Sequence, residues 1–76
     1  MEIKVLGPGC AKCKATADMI ARVASDAGKA VTIEKVEDMR QIVGFGVMTT
    51  PAVVVGGKVV HKGSVPTHDQ VLSWLN

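Results

Sequence analysis

Cys10-Ala11-Lys12-Cys13 stands between a short apolar run and a long helical pattern, and it holds both cysteines of the chain. At the start of a helix this spacing places both sulfurs on one side of the first turn. Two thiols so close have two chemical uses. They form a reversible disulfide, or they clamp a soft metal ion. Either use needs a strand-to-helix turn that is held still, and this demand constrains the remaining elements.

Those elements are legible in order. Ile3-Lys4-Val5-Leu6 reads as a strand stopped by Gly7-Pro8-Gly9. From Ala11 to Ala27 the pattern is helical, with Cys13, Ala17, Ile20, Ala24 and Ala27 on one buried stripe. Gly28 is the expected stop. Val31–Val36 alternates and is rich in β-branched residues, as a second strand would be. Asp38 caps a short helix through Val43, ended by Gly44 and Gly46. Ala52-Val53-Val54-Val55 is a continuous apolar run, the mark of a central strand buried on both faces. Gly56-Gly57 signals a hairpin into Lys58–His61. Thr67 and Gln70 form a capping box for a last helix whose apolar face is Val71, Leu72, Trp74 and Leu75. The expected fold is one α/β domain over residues 1–76, ordered βαβαββα, with a four-stranded mixed sheet flanked by three helices.

Composition narrows the function classes. The chain has 76 residues, and a domain of that size buries only about 60% of its unfolded surface. With 47% apolar residues it has enough core to fold without a metal. A net charge of +2 argues against a nucleic-acid or membrane-surface partner. Phe45 and Trp74 are the aromatic residues, too few for a base-stacking platform. No apolar run approaches the ~20 residues of a membrane span. Residues 1–6 are too short and too charged for a signal peptide. The expectation is a cytoplasmic monomer, a setting in which a close cysteine pair is catalytic or metal-binding rather than structural.

The thiolate is the reactive form of cysteine, so reactivity follows pKa. Cys10 falls at the cap or first position of its helix, where unpaired N–H groups and the helix dipole favour a negative sulfur. Its pKa is therefore expected below the ~8.5 of a free cysteine. Lys14, four residues on, adds positive charge; Lys12 need not face the sulfur. Cys13 lies one turn in, on the buried stripe. The asymmetry suits Cys10 as an exposed attacking thiol and Cys13 as a sheltered resolving thiol.

With the pair and the element order in hand, the chain resembles the thioredoxin/glutaredoxin superfamily, and particularly its small redox-disulfide members. The resemblance rests on the strand–Cys10-Ala11-Lys12-Cys13–helix unit and on the stretch from Gly46 to Lys58, which contains Thr49-Thr50-Pro51. It implies a thiol–disulfide oxidoreductase with no cofactor beyond the Cys10–Cys13 couple. It also implies a cis Thr50–Pro51 bond, with Thr50 docking substrate backbone, Pro51 walling Cys10 and Met48 on the substrate side. Protein disulfides would be the substrates. A thioredoxin-reductase-like or glutathione-dependent system would supply electrons.

The chain departs from the superfamily pattern at several points. Gly9 precedes the first cysteine where thioredoxins carry Trp. Lys4 occupies the offset of their buried acid, and no acid lies between Lys4 and Cys13. Gly63-Ser64-Val65-Pro66-Thr67, where glutaredoxins clamp glutathione, reads as a plain loop. Two other readings stay open: a copper- or zinc-binding CxxC module of βαββαβ order, and a redox-sensing interaction domain without turnover. His61 and His68 are read as exposed, Met39, Ile42 and Met48 as core or rim packing, and Trp74 as the anchor of the last helix.

Overall fold

The structure, a computed structural model, describes residues 1–8 and 11–75. Among these, β1 (Glu2–Leu6), α1 (Ala11–Asp26), β2 (Thr32–Val36), α2 (Met39–Gly44), β3 (Ala52–Val55), β4 (Lys58–Lys62) and α3 (His68–Leu75) follow one another. The sheet order is β2-β1-β3-β4. β1 runs parallel to β2 and antiparallel to β3, with Val5 opposite Lys35 on one side and Val53 on the other. β4 closes the sheet antiparallel to β3, with a register irregularity between Val53 and Val54. The fold is the expected mixed sheet with three helices, thioredoxin-like in order.

Period-two alternation divides the sheet into two faces. Ile3, Val5 and Val53 pack with Ala17, Ile20, Val23 and Ala24 of α1 and Val71 and Leu75 of α3. Leu6, Val36, Ala52 and Val54 pack on the other face with Ile42 of α2 and Val47. Thus β3 is buried on both sides, as its unbroken apolar run implies. Fully burying one such aliphatic side chain contributes about 1.5–3 kcal/mol, so Ile20 and Ile3 matter individually in a core this small.

The stripe on α1 differs from the expected one at its end. The helix stops at Asp26, and Ala27 is exposed in the following turn. Val23 and Thr16 are buried instead. The sheet and α3 together cover a wider arc than one row of residues. Thr16 is accommodated because its hydroxyl donates to the Lys12 carbonyl at 2.8 Å.

Local signals act as expected elsewhere. Asp38 caps α2 by accepting from the Arg40 N–H at 2.8 Å. Thr67 and Gln70 make the reciprocal pair at the start of α3, with bonds of 2.9 and 3.2 Å. Gly56 and Gly57 both have positive φ, the backbone a two-residue hairpin of primed type requires.

Candidate active site

β1 ends at Leu6, and its pairing with β2 continues one residue further. The Gly7 N–H donates to the Val36 carbonyl at 2.9 Å, which pins the loop before α1 to the end of β2. Cys13 lies in the first turn of α1 and is 6% exposed. Its side chain packs directly over Gly7. A Cβ built on Gly7 would overlap Cys13 Sγ and would lie 3.7 Å from Thr50 Cβ. The glycine therefore does more than stop a strand. Its missing side chain is the space in which the sulfur sits, and Thr50 borders it.

A cleft of about 140 Å³ adjoins this cysteine, lined by Val5, Gly7, Cys13, Lys14, Lys35 and Glu37. The three charged side chains come from two elements. Lys14 is on α1, Lys35 is on β2, and Glu37 follows it on the same face by alternation. All three residues are exposed. Among the described residues none of them is in an ion pair within 4 Å.

Lys4 faces the other way. It sits on the α2 face, 3.8 Å from Glu2 and 3.9 Å from Glu34, with its ammonium 5.8 Å from the centre of the Phe45 ring. Its side chain is 30% exposed. A second cleft there is lined by Lys4, Glu34, Val36, Gln41, Gly44 and Phe45.

The other sequence-derived candidates fall as follows. Cys10, assigned to the helix cap as the attacking thiol, lies outside the described residues, so the Pro51–Cys10 contact does too. α1 starts at the residue after it. The Thr50–Pro51 peptide bond is cis. Pro51 is buried, and its carbonyl accepts from the Gly63 N–H at 2.9 Å. That bond uses the Gly63 N–H within the fold. Thr50 is half-buried next to Gly7. Lys12 and Lys14 are both exposed, and Lys14 alone of the two lines the cleft.

Three bland readings need correction. Met48 is 88% and Met39 55% exposed, so of the three candidate packing residues only Ile42 is in the core. Met48 belongs to the connection between α2 and β3, and Met39 opens α2 on its outer side. His61 is half-buried, not exposed, because it shares a 3.1 Å hydrogen bond with Ser64 and lies 5.9 Å from the Trp74 ring. Trp74 thus joins α3 to β4 through a histidine as well as through the apolar core. His68 is exposed.

Sequence reasoning missed Gly7, Lys35 and Glu37 as parts of the site. Gly7 was explained by its turn. The alternation Ile33, Lys35, Glu37 was visible, but the parallel register that brings it to Cys13 is not a property of that segment.

Fold and site together define a thioredoxin-like α/β domain with a sheltered cysteine at the start of its first helix. The whole chain, residues 1–76, matches the thioredoxin domain family, and the protein belongs to that family. It is 29% identical over 69 residues to a thioredoxin of Methanocaldococcus jannaschii, covering 91% of this chain and 79% of that one. It is 27% identical over 76 residues to a thioredoxin of Methanothermobacter thermautotrophicus, covering 100% of this chain and 99% of that one. Among the described residues no helix is long and apolar enough to cross a membrane.

Proposed function

We propose that this protein is a thiol–disulfide oxidoreductase that reduces protein disulfides through Cys10 and Cys13. The observation that carries this reading is the setting of Cys13: buried in the first turn of α1, seated over Gly7, which Thr50 borders, and three residues after Cys10, the first thiol of the pair. The Cys10 thiolate attacks one sulfur of the substrate disulfide. A Cys10–substrate disulfide forms, and the other substrate sulfur leaves as a thiolate and takes a proton. Cys13 then loses its proton and attacks the Cys10 sulfur. The Cys10–Cys13 disulfide forms and the second substrate thiol departs. Two electrons and two protons have passed to the substrate. A thioredoxin-reductase-like or glutathione-dependent donor restores the dithiol.

The lysines support this reading. α1 has no acid in its first turn, and Lys12 and Lys14 stand there instead. Cations at that end oppose the helix dipole, so they do not serve helix stability. A thiolate at the helix start gains from both the dipole and the lysines. Thr50 and the exposed Met48 would border the approaching substrate segment, with Pro51 behind them.

The test is to incubate each cysteine variant with a disulfide substrate and run non-reducing gels. Cys10→Ser should not attack, and Cys13→Ser should attack without resolving, so mixed disulfides accumulate only in the latter. Trapping by Cys10→Ser instead would reverse the roles. If neither variant traps and the wild type binds one copper or zinc ion tightly, the oxidoreductase reading fails in favour of a metal-binding module.

A further inference from the structure

The resolving step requires Cys13 to lose a proton, and the buried surroundings of a sulfur disfavour the thiolate. Some group must take that proton. The sequence offers no acid between Lys4 and Cys13, and Lys4 itself lies on the opposite face of the sheet, held by Glu2 and Glu34.

We propose that Glu37 is the proton acceptor for Cys13, reached through the cleft that the two residues line together. This rests on the oxidoreductase reading and names a residue of that same site. Four observations support it. The first is chemical. Of the described side chains that line the cleft with Cys13, Lys14 and Lys35 are ammonium groups that only donate, Val5 is apolar, and Glu37 alone presents acceptor lone pairs. The second is positional. The Gly7–Val36 hydrogen bond fixes the loop under Cys13 to the residue immediately before Glu37, so the carboxylate is tied to the sulfur's own support. The third is the state of the carboxylate. Among the described residues it enters no ion pair, whereas Glu2 and Glu34 are committed to Lys4. The fourth is space. A cleft of about 140 Å³ holds several water molecules, enough to bridge a thiol and a carboxylate that do not touch.

Among the described residues, the charged side chains that line the cleft with Cys13 are Lys14 from α1 and Lys35 and Glu37 from β2 and its extension. β1 contributes Val5, the loop that follows it contributes Gly7, and the loop before β3 contributes the uncharged Thr50. The step balances. The Cys13 proton passes through water to the Glu37 carboxylate. The Cys13 sulfur then bonds to the Cys10 sulfur, the Cys10–substrate bond breaks, and its electron pair leaves on the substrate sulfur, which is protonated from solvent. Glu37 returns its proton to water. Lys14 and Lys35 stabilise the transient negative charge.

The experiment separates the two half-steps. Reduced protein is mixed rapidly with a peptide disulfide, quenched with acid at intervals, and the mixed disulfide is followed by mass across a pH series. Glu37→Gln should form the mixed disulfide at the wild-type rate. Its decay at neutral pH should slow about tenfold, less than the ~10²-fold of a directly bonded base because water intervenes. The deficit should close as pH rises, when the thiol ionises unaided. Glu37→Asp should recover part of the loss. Glu34→Gln, the same charge change on the opposite face, should behave as wild type. A wild-type pH profile in Glu37→Gln, or equal slowing in Glu34→Gln, overturns the assignment of Glu37 while leaving the oxidoreductase reading intact. If the wild type forms no mixed disulfide at all, the oxidoreductase reading falls and this inference falls with it.

Discussion

The same pair of strands, β1 and β2, builds two clefts on opposite faces of the sheet, and they treat charge in opposite ways. On the α2 face Lys4 is half-buried against Phe45 and paired with both Glu2 and Glu34. On the α1 face Lys14, Lys35 and Glu37 line one cleft with the buried Cys13 without pairing to one another within 4 Å. One arrangement lets the carbon stem of a lysine cover apolar surface while its charge is answered by carboxylates. The other leaves donors and an acceptor without an ion pair among the described residues, in one cleft with a buried cysteine. Charges with partners stabilise a surface slightly. Charges that enter no ion pair among the described residues, gathered in one cleft with a thiol, suit the proposed chemistry.

The largest expected effect comes from filling the space beside Gly7 that the Cys13 sulfur occupies. Gly7→Ala puts a methyl group where Cys13 Sγ lies, so the sulfur or the loop must move. Overpacking of this kind costs about 1–3 kcal/mol, measured as a lower midpoint in urea unfolding. The mixed disulfide of this variant should also decay more slowly than wild type. Unchanged stability and unchanged decay would show that the sulfur does not need this space.

A smaller effect is expected on the other face. Lys4→Met keeps the stem over Phe45 and removes the charge. A partly exposed ion pair contributes about 0–1 kcal/mol, so the urea midpoint should fall slightly and the decay of the mixed disulfide should not change. A change in decay would mean that the two faces are coupled and the comparison is wrong. The smallest effect belongs to Glu2→Gln. Lys4 retains Glu34, so the loss should be a few tenths of a kcal/mol at most and should vanish in high salt.

Much of the molecule was legible in local patterns. Strand and helix periodicity, the Asp38 cap, the Thr67–Gln70 capping box and the Gly56-Gly57 hairpin each depend on residues within a few positions of one another. Local rules therefore recover the βαβαββα order and the place of Cys13 on a buried face. They failed where burial is decided by a neighbour from elsewhere. Ala27 continued the α1 stripe but had nothing to pack against once the helix ended at Asp26. His61 looked like a solvent-facing histidine until α3 brought Trp74 to it. Met39 and Met48 looked like packing residues, but both side chains are exposed.

What the amino-acid order determined by itself is the set of elements and the cysteine pair at a strand-to-helix turn, because periodicity, caps and turn residues act over short distances. What only the tertiary structure decided is which side chains meet at Cys13. Parallel pairing of β1 with β2 sets Val5 against Lys35 and carries Glu37 past Gly7, and alternation then sends Lys4 and Glu34 to the far face. A one-residue change of that register would turn Lys35 and Glu37 to the α2 face and Glu34 to the α1 face. The register follows from burying Ile3, Val5 and Leu6 against three helices at once, and no single segment encodes it.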